Sequence, residues 1–230
     1  MRFTDGTSQT RLCHATDRVG RPMLLSARGN ELAKRLRASA LGEPPHVWLT
    51  VDDLPPIKGA PSLGRVRVSG SLRQVPKSET EEAVLDFAES NPVSQLFDVG
   101  KGVTLHRMEL RGVSLRRTGT TELIDLAEYS GADPDPLHEC ERELLEDLAD
   151  HHGEQLDRRL RRLLADAGVE CAEAPRVARM DRYGFVVDLG DTGPSRWVRM
   201  EFPRAARSQH DLAHLMHPLL FHHHHHHGPE

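Results

Sequence analysis

"VTLHRMELRGVSLRR", Val103 to Arg117, alternates apolar and polar residues as a strand does, but it does not keep one phase. Val103 and Leu105 fall on one side of the alternation, Met108 and Leu110 on the other, and Val113 and Leu115 return to the first. Either bulges bend one long strand, as barrel corners require, or two strands meet here.

Upstream, "RVRVSGSLRQV" (Arg65 to Val75) sets Val66, Val68, Gly70 and Leu72 on one face and Arg65, Arg67 and Arg73 on the other, a clear strand. "HVWLTVDD" (His46 to Asp53) and "GRPMLLSA" (Gly20 to Ala27) read as two more, and the Pro- and Gly-rich "LPPIKGAPSLG" between them and Arg65 as a loop. Two short helices are predicted. "NELAKRLRASAL" has Asn30 as its N-cap, Leu32, Leu36 and Ala40 at helical spacing, and Gly42 as its stop. "SETEEAVLDFAES" pairs Ser78 with Glu81 in a capping box, presents Val84, Leu85, Phe87 and Ala88 as its apolar face, and ends at Asn91 before a proline. Many short strands and two small helices predict an N-terminal barrel with helices on its rim, residues 1–130.

The acidic, Pro- and Gly-containing "YSGADPDP" (Tyr129 to Pro136) reads as a domain boundary. Beyond it a helix of roughly 25 residues starts near Leu137, with acids in its first half and arginines in its second, which complements the helix dipole. "VARMDRYGFVVDLGDTGPSRWVRMEFP" then reads as a hairpin turning at "GDTG", and "SQHDLAHLMHPLL" as a helix capped by Ser208 and broken at Pro218. Residues 131–220 thus form a second, α+β domain, which makes the whole chain α+β.

The 230 residues suffice for two modest domains. A net charge of −5 gives no basic footprint for nucleic acid. Cys13, Cys140 and Cys171 form no CxxC pair, which points to reduced thiols, and neither a leader nor a run of about 18 apolar residues is seen. A cytoplasmic protein with no membrane or nucleic-acid partner is the expectation. Residues 221–230 carry the run His222 to His227, either an affinity tag or a native metal- or haem-scavenging tail, and this run is left out of fold reasoning.

On the long helix Leu144, Leu148, Leu156 and Leu160 recur every fourth residue, and the missing member is His152. His152 therefore faces inward with the leucines while His151 is rotated about 100° to the flank. A buried imidazole needs its nitrogens bonded, since stranding one costs about 1–3 kcal/mol. A carbonyl or acid partner is one answer and a metal is the other. Zinc fits poorly, because no HExxH match and no Cys or carboxylate pair at ligand spacing occurs. Haem iron asks only for one neutral imidazole and an apolar slot. His210, His214 and His217 share one face of the last helix and are the candidate second ligands, His210 first; a solvated polar face is the alternative.

"LEDLADHHGEQLDRRL", "ARMDRYGFVVDL" and "WVRMEFPRAARSQHDLAHLM" resemble the small C-terminal domain of HugZ-type haem-utilisation proteins, with its Asn-x-Asp-His helix core and its "iDxxGf" and "vRixFp" strands. His152 keeps the core's histidine, while Ala149 and His151 replace its Asn and Asp. Asp181, Gly184, Phe185, Arg199, Phe202 and Pro203 match the strands. "GRVRVSGSLRQV", "NPVSQLF" and "LHRMELRGVSLRRTG" are similar to the second half of the pyridoxamine 5'-phosphate oxidase-like FMN-binding split barrel. The resemblance covers roughly residues 62–217. It implies a split barrel, a homodimer across it, and a haem or flavin site near the dimer seam.

The family's N-terminal signature survives only as "GRPMLLSA". Arg65, Arg67 and Lys58 are the nearest cations for a phosphate or propionate, or else an ordinary charged outer face. Trp48, Trp197 and Phe97 are the aromatics available to stack on a planar group. Three functions follow: a haem-binding protein of the HugZ type in haem iron utilisation or degradation, with His152 and His210 as iron ligands; an FMN- or deazaflavin-dependent oxidoreductase; or a cofactor-free dimeric scaffold or regulatory module. Whether the chain is an enzyme stays open at this point.

Overall fold

The structure, a computed structural model, describes residues 1–39, 43–117, 119–169, 171, 173–190 and 196–221. The chain divides into two compact units, Met1–Asp53 with Leu63–Ala132, and Leu54–Ser62 with Asp133 onward. Both mix helices with antiparallel sheet, so the fold is α+β.

The first unit holds β1 (Arg2–Phe3), β2 (His14–Thr16), β3 (Pro22–Ala27), α1 (Glu31–Ser39), β4 (His46–Asp52), β5 (Arg65–Gln74), α2 (Thr80–Ser90), β6 (Val103–Arg117), β7 (Thr120–Ile124) and α3 (Leu126–Ser130). The sheet runs β1-β4-β5-β6-β3-β2, with β7 added to β6. Val103 to Arg117 is one strand, and its phase changes have two different causes. Ser69 pairs with Gly112 and Gly70 with Leu110, so Arg111 is an extra, bulged residue that returns Val113 to the core that holds Met108. The earlier change has another origin, because both faces of β6 are buried. Val103 and Leu105 pack with Met23, Leu25 and Phe87, whereas Met108 packs with Leu24, Val47 and Leu72. Gly70 is required at the bulge: a Cβ there would lie 2.0 Å from the Glu109 carbonyl oxygen.

Asn30 caps α1 as expected, its Oδ1 accepting from the Ala33 N–H at 2.7 Å; the predicted end at Leu41 and Gly42 lies outside the described residues. The Ser78 capping box does not form. Lys77–Glu79 is instead a single 3₁₀ turn, and α2 starts two residues later with the Thr80 hydroxyl donating to the Pro76 carbonyl. Its buried residues are Ala83, Asp86 and Phe87, and Leu85 is 60% exposed rather than part of the face. Strand β7 and helix α3 were not anticipated. Asp125 Oδ1 caps α3 by accepting from the Ala127 and Glu128 N–H groups.

The second unit holds α4 (Glu141–Asp166), β8 (Arg176–Asp181), β9 (Gly184–Asp188), β10 (Trp197–Glu201) and α5 (Gln209–Phe221), with sheet order β10-β9-β8. The expected hairpin is thus three strands, since "RVARMD" pairs with β9 as well; residues 191–195, which include most of "GDTG", lie outside the described residues. Leu145, Leu148, Leu156, Leu160 and Leu164 of α4 close a core with Met180, Phe185 and Val187 of the sheet and Leu212 and Met216 of α5. Each such side chain contributes about 1.5–3 kcal/mol on burial. Helix α5 runs through Pro218 to Phe221. Proline sits there in the last turn, where losing one N–H costs a single intrahelical bond.

The matched strand motifs hold this unit together. Asp181 Oδ1 accepts from the Tyr183 N–H at 2.8 Å and from Arg199 Nη2 at 2.6 Å, tying the β8–β9 turn to β10. Among the described residues no helix is long and apolar enough to cross a membrane.

Candidate functional site

The Leu54–Ser62 segment leaves the β4–β5 connection and becomes part of the second unit, where Arg179 Nη1 donates to the Pro61 carbonyl at 2.7 Å. It forms one wall of a cavity of about 450 Å³, a size typical of small-molecule sites. Ile57, Leu145, Leu148, Leu156, Val177 and Ala178 give the cavity apolar walls, and Lys58, Arg176, Arg196 and Asp188 are among its charged groups. Consecutive strand residues normally point to opposite faces. Val177 and Ala178 both reach the cavity because the β8–β9 register slips between Val177 and Arg179, leaving Ala178 unpaired in a bulge.

Asp188 organises the charged side. It is nearly buried, and its carboxylate accepts from Arg196 Nε and Nη2, each at 3.1 Å, from Arg176 Nη2 at 3.4 Å and from the Gly190 N–H at 3.0 Å. Burial pushes its pKa up, but the hydrogen bonds from Arg196 and Gly190 and the two guanidinium charges bring it below the ordinary carboxylate value. Asp188 therefore stays ionised and fixes both arginines at the edge of an apolar space. Nothing in the sequence singles these three residues out, since only strand pairing brings Arg176 and Arg196 to opposite sides of Asp188.

His152 is half-buried on α4 and its Nδ1 is shielded from solvent. Leu148 and Leu156, one turn before and one turn after it, both wall the cavity, although the His152 ring is not itself part of the lining. His151 lies on the exposed flank as expected, 3.0 Å from Asp147 Oδ1. His210 and His214 are exposed on α5 and face each other, Nε2 to Nε2, at 3.3 Å; His217 is exposed as well. Among the described residues no three His, Cys, Asp or Glu side chains form a metal-binding group.

The proposed cation trio is divided between the units. Lys58 borders the cavity of the second, while Arg65 and Arg67 lie on β5 of the first, Arg65 paired with Asp52 and Arg67 5.7 Å from the centre of the Trp48 ring. Trp197 carries Arg196 4.7 Å from its ring centre, and Phe97 is 81% exposed. The first unit also contains a pair that sequence reading missed. Ser26 Oγ and His106 Nε2 are 2.9 Å apart, both buried, between β3 and β6, and burial pushes the imidazole pKa down to about 4.

No protein-family model and no curated protein matches the chain. Among solved structures it is similar to a haem-binding protein from Mycobacterium smegmatis, at 16% identity and a TM-score of 0.58 over 88% of this chain and 81% of that one. The likeness is one of fold. A protein of unknown function from Agrobacterium tumefaciens aligns over 88% of this chain and 79% of its own, at 17% identity and a TM-score of 0.35.

Proposed function

We propose that this chain binds haem in the cavity of its second unit, as the resemblance to HugZ-type proteins implies. The observation that carries the reading is the apolar cavity walled by Leu148 and Leu156, the residues one turn before and one turn after His152 on α4, whose own ring stands beside the lining and not in it. The donor chemistry fits the group. A porphyrin supplies four iron ligands itself, so one neutral imidazole suffices where no three-residue metal group exists among the described residues. The aliphatic walls match a flat apolar macrocycle, and Lys58, with Arg176 and Arg196 already paired to Asp188, would meet the carboxylates at its edge, in a lining that also holds Glu146 and Asp157. The fold of the Mycobacterium smegmatis haem-binding protein supports the same reading.

In this reading His152 would supply the imidazole that holds the iron once its ring turned toward the cavity it now flanks, the leucines of α4 and Ile57 would exclude water, and Lys58, Arg176 and Arg196 would meet the carboxylates of the group. Haem held there would supply a redox-active iron centre.

The test is hemin titration into a chain whose His222 to His227 run is replaced by serine, so that a metal-binding composition outside the cavity does not compete. A Soret shift saturating at one hemin per chain and lost in His152→Ala is expected. No Soret shift, or an identical one in His152→Ala, overturns the proposal.

A further inference from the structure

We propose that His210 and His214 form a second, separate site on α5 that binds a divalent transition-metal ion of the zinc, nickel and copper class. It owes nothing to the haem reading. The two residues are four apart on a helix of 13 residues, so their side chains rise from the same face. Both are exposed, and their rings stand perpendicular with centroids 4.9 Å apart.

The decisive geometry is the 3.3 Å between the two Nε2 atoms. Nitrogen ligands about 2.0–2.1 Å from a tetrahedral ion lie about 3.3–3.4 Å from each other. Two imidazoles at this separation cannot both present a proton to the other, so the arrangement suits either one shared proton or two lone pairs aimed at a common cation.

The scaffold already holds this geometry. Leu212 and Met216, on the opposite side of α5, are buried in the core and fix the helix in rotation, and Ser208 Oγ caps it by accepting from the Asp211 N–H at 3.1 Å. Asp211 is occupied elsewhere: Arg204 Nη1 and Nη2 each donate to it at 2.6 Å, and the Arg207 N–H donates at 3.0 Å. No third His, Cys, Asp or Glu completes a cluster among the described residues, so water takes the remaining coordination positions. Two imidazoles with no carboxylate select transition metals over magnesium and calcium, with Cu²⁺ bound more tightly than Ni²⁺ or Zn²⁺.

The experiment is calorimetric titration of Zn²⁺, Cu²⁺ and Mg²⁺ into the chain with His222 to His227 replaced by serine, which removes the competing run. One Zn²⁺ per chain is expected, with Cu²⁺ tighter and Mg²⁺ unbound. His210→Ala and His214→Ala should each weaken Zn²⁺ at least tenfold, and Zn²⁺ should raise the melting temperature of the parent chain but of neither variant. Zn²⁺ binding that survives the double variant His210→Ala/His214→Ala, equal binding of Mg²⁺, or no Zn²⁺ binding by the parent chain overturns the proposal. Circular dichroism of the variants, whose changes are on an exposed face, checks that α5 still folds.

Discussion

Glu141, in the first turn of α4, and Arg179, in β8, form an ion pair sealed from solvent, with Arg179 Nε 2.8 Å from Glu141 Oε1 and Nη2 3.3 Å from Oε2. Oε1 also accepts from the Met180 N–H at 2.8 Å, and Arg179 Nη1 donates to the Pro61 carbonyl, so one pair joins helix, sheet and the Leu54–Ser62 segment.

Removing one partner leaves a buried charge uncompensated, which costs about 3–5 kcal/mol. Arg179→Met should therefore lower the urea-unfolding free energy by about that amount. The double variant Arg179→Met/Glu141→Leu should recover about half of it, leaving about 1–3 kcal/mol for the Met180 N–H and Pro61 carbonyl that lose their partners. A double variant no more stable than the single would show that the pair is not acting as a unit.

His106 makes the first unit sensitive to pH. Its ordinary value is 6.5, and burial lowers it to about 4. Above pH 6.5 neither the folded nor the unfolded chain protonates this ring, and its stability contribution is fully present. Between pH 6.5 and about 4 the unfolded chain takes up a proton that the folded unit refuses, so stability falls by about 1.4 kcal/mol per pH unit, roughly 3 kcal/mol in all. Below that window the loss is complete. His106→Gln keeps a polar partner for Ser26 and removes the titration. Between pH 7 and pH 5 the parent should lose about 2 kcal/mol more than this variant in urea unfolding, and equal losses would refute the assignment.

Gly184 tests whether the resemblance motif in β9 is there for structure. A Cβ at this position would lie 2.1 Å from the Met200 carbonyl oxygen, on the backbone of the paired strand. The neighbour is main chain and cannot swing aside, so Gly184→Ala should force β9 and β10 apart at a cost of about 1–3 kcal/mol or more. The expected readout is a lowered melting temperature.

How much was legible beforehand follows from which contacts are local. The α4 stripe is visible because one period runs through 26 residues, and His152 stands out as its gap. The bend in β6 shows as a change of phase, although the sequence alone could not separate a bulge at Arg111 from a strand buried on both faces. Leu85 was misplaced because the face that meets the core is centred on Ala83, Asp86 and Phe87, which turns Leu85 outward, and Asp86 in that face hides it from a hydrophobic pattern. The cavity was invisible. Its walls combine Ile57 with α4 and β8, held by an Arg179–Pro61 bond that spans 118 residues, and no local pattern announces such a pairing.

Ala178 offers the most direct test of that cavity, because it is buried, bulged and part of the lining. In a packed core Ala178→Leu would overfill the site and cost about 1–3 kcal/mol. Directed into an apolar space of about 450 Å³, the added carbons gain contacts instead, worth up to about 2 kcal/mol at about 0.8 kcal/mol per buried CH₂. The variant should therefore melt at the same temperature as the parent or higher while weakening hemin binding by occupying its volume. A variant that melts lower and still binds hemin like the parent would mean that the space is not available to a side chain and does not hold the ligand. The two measurements separate the cavity from the proposed histidine ligand, since His152→Ala removes an imidazole that lies outside the lining and leaves the volume unchanged.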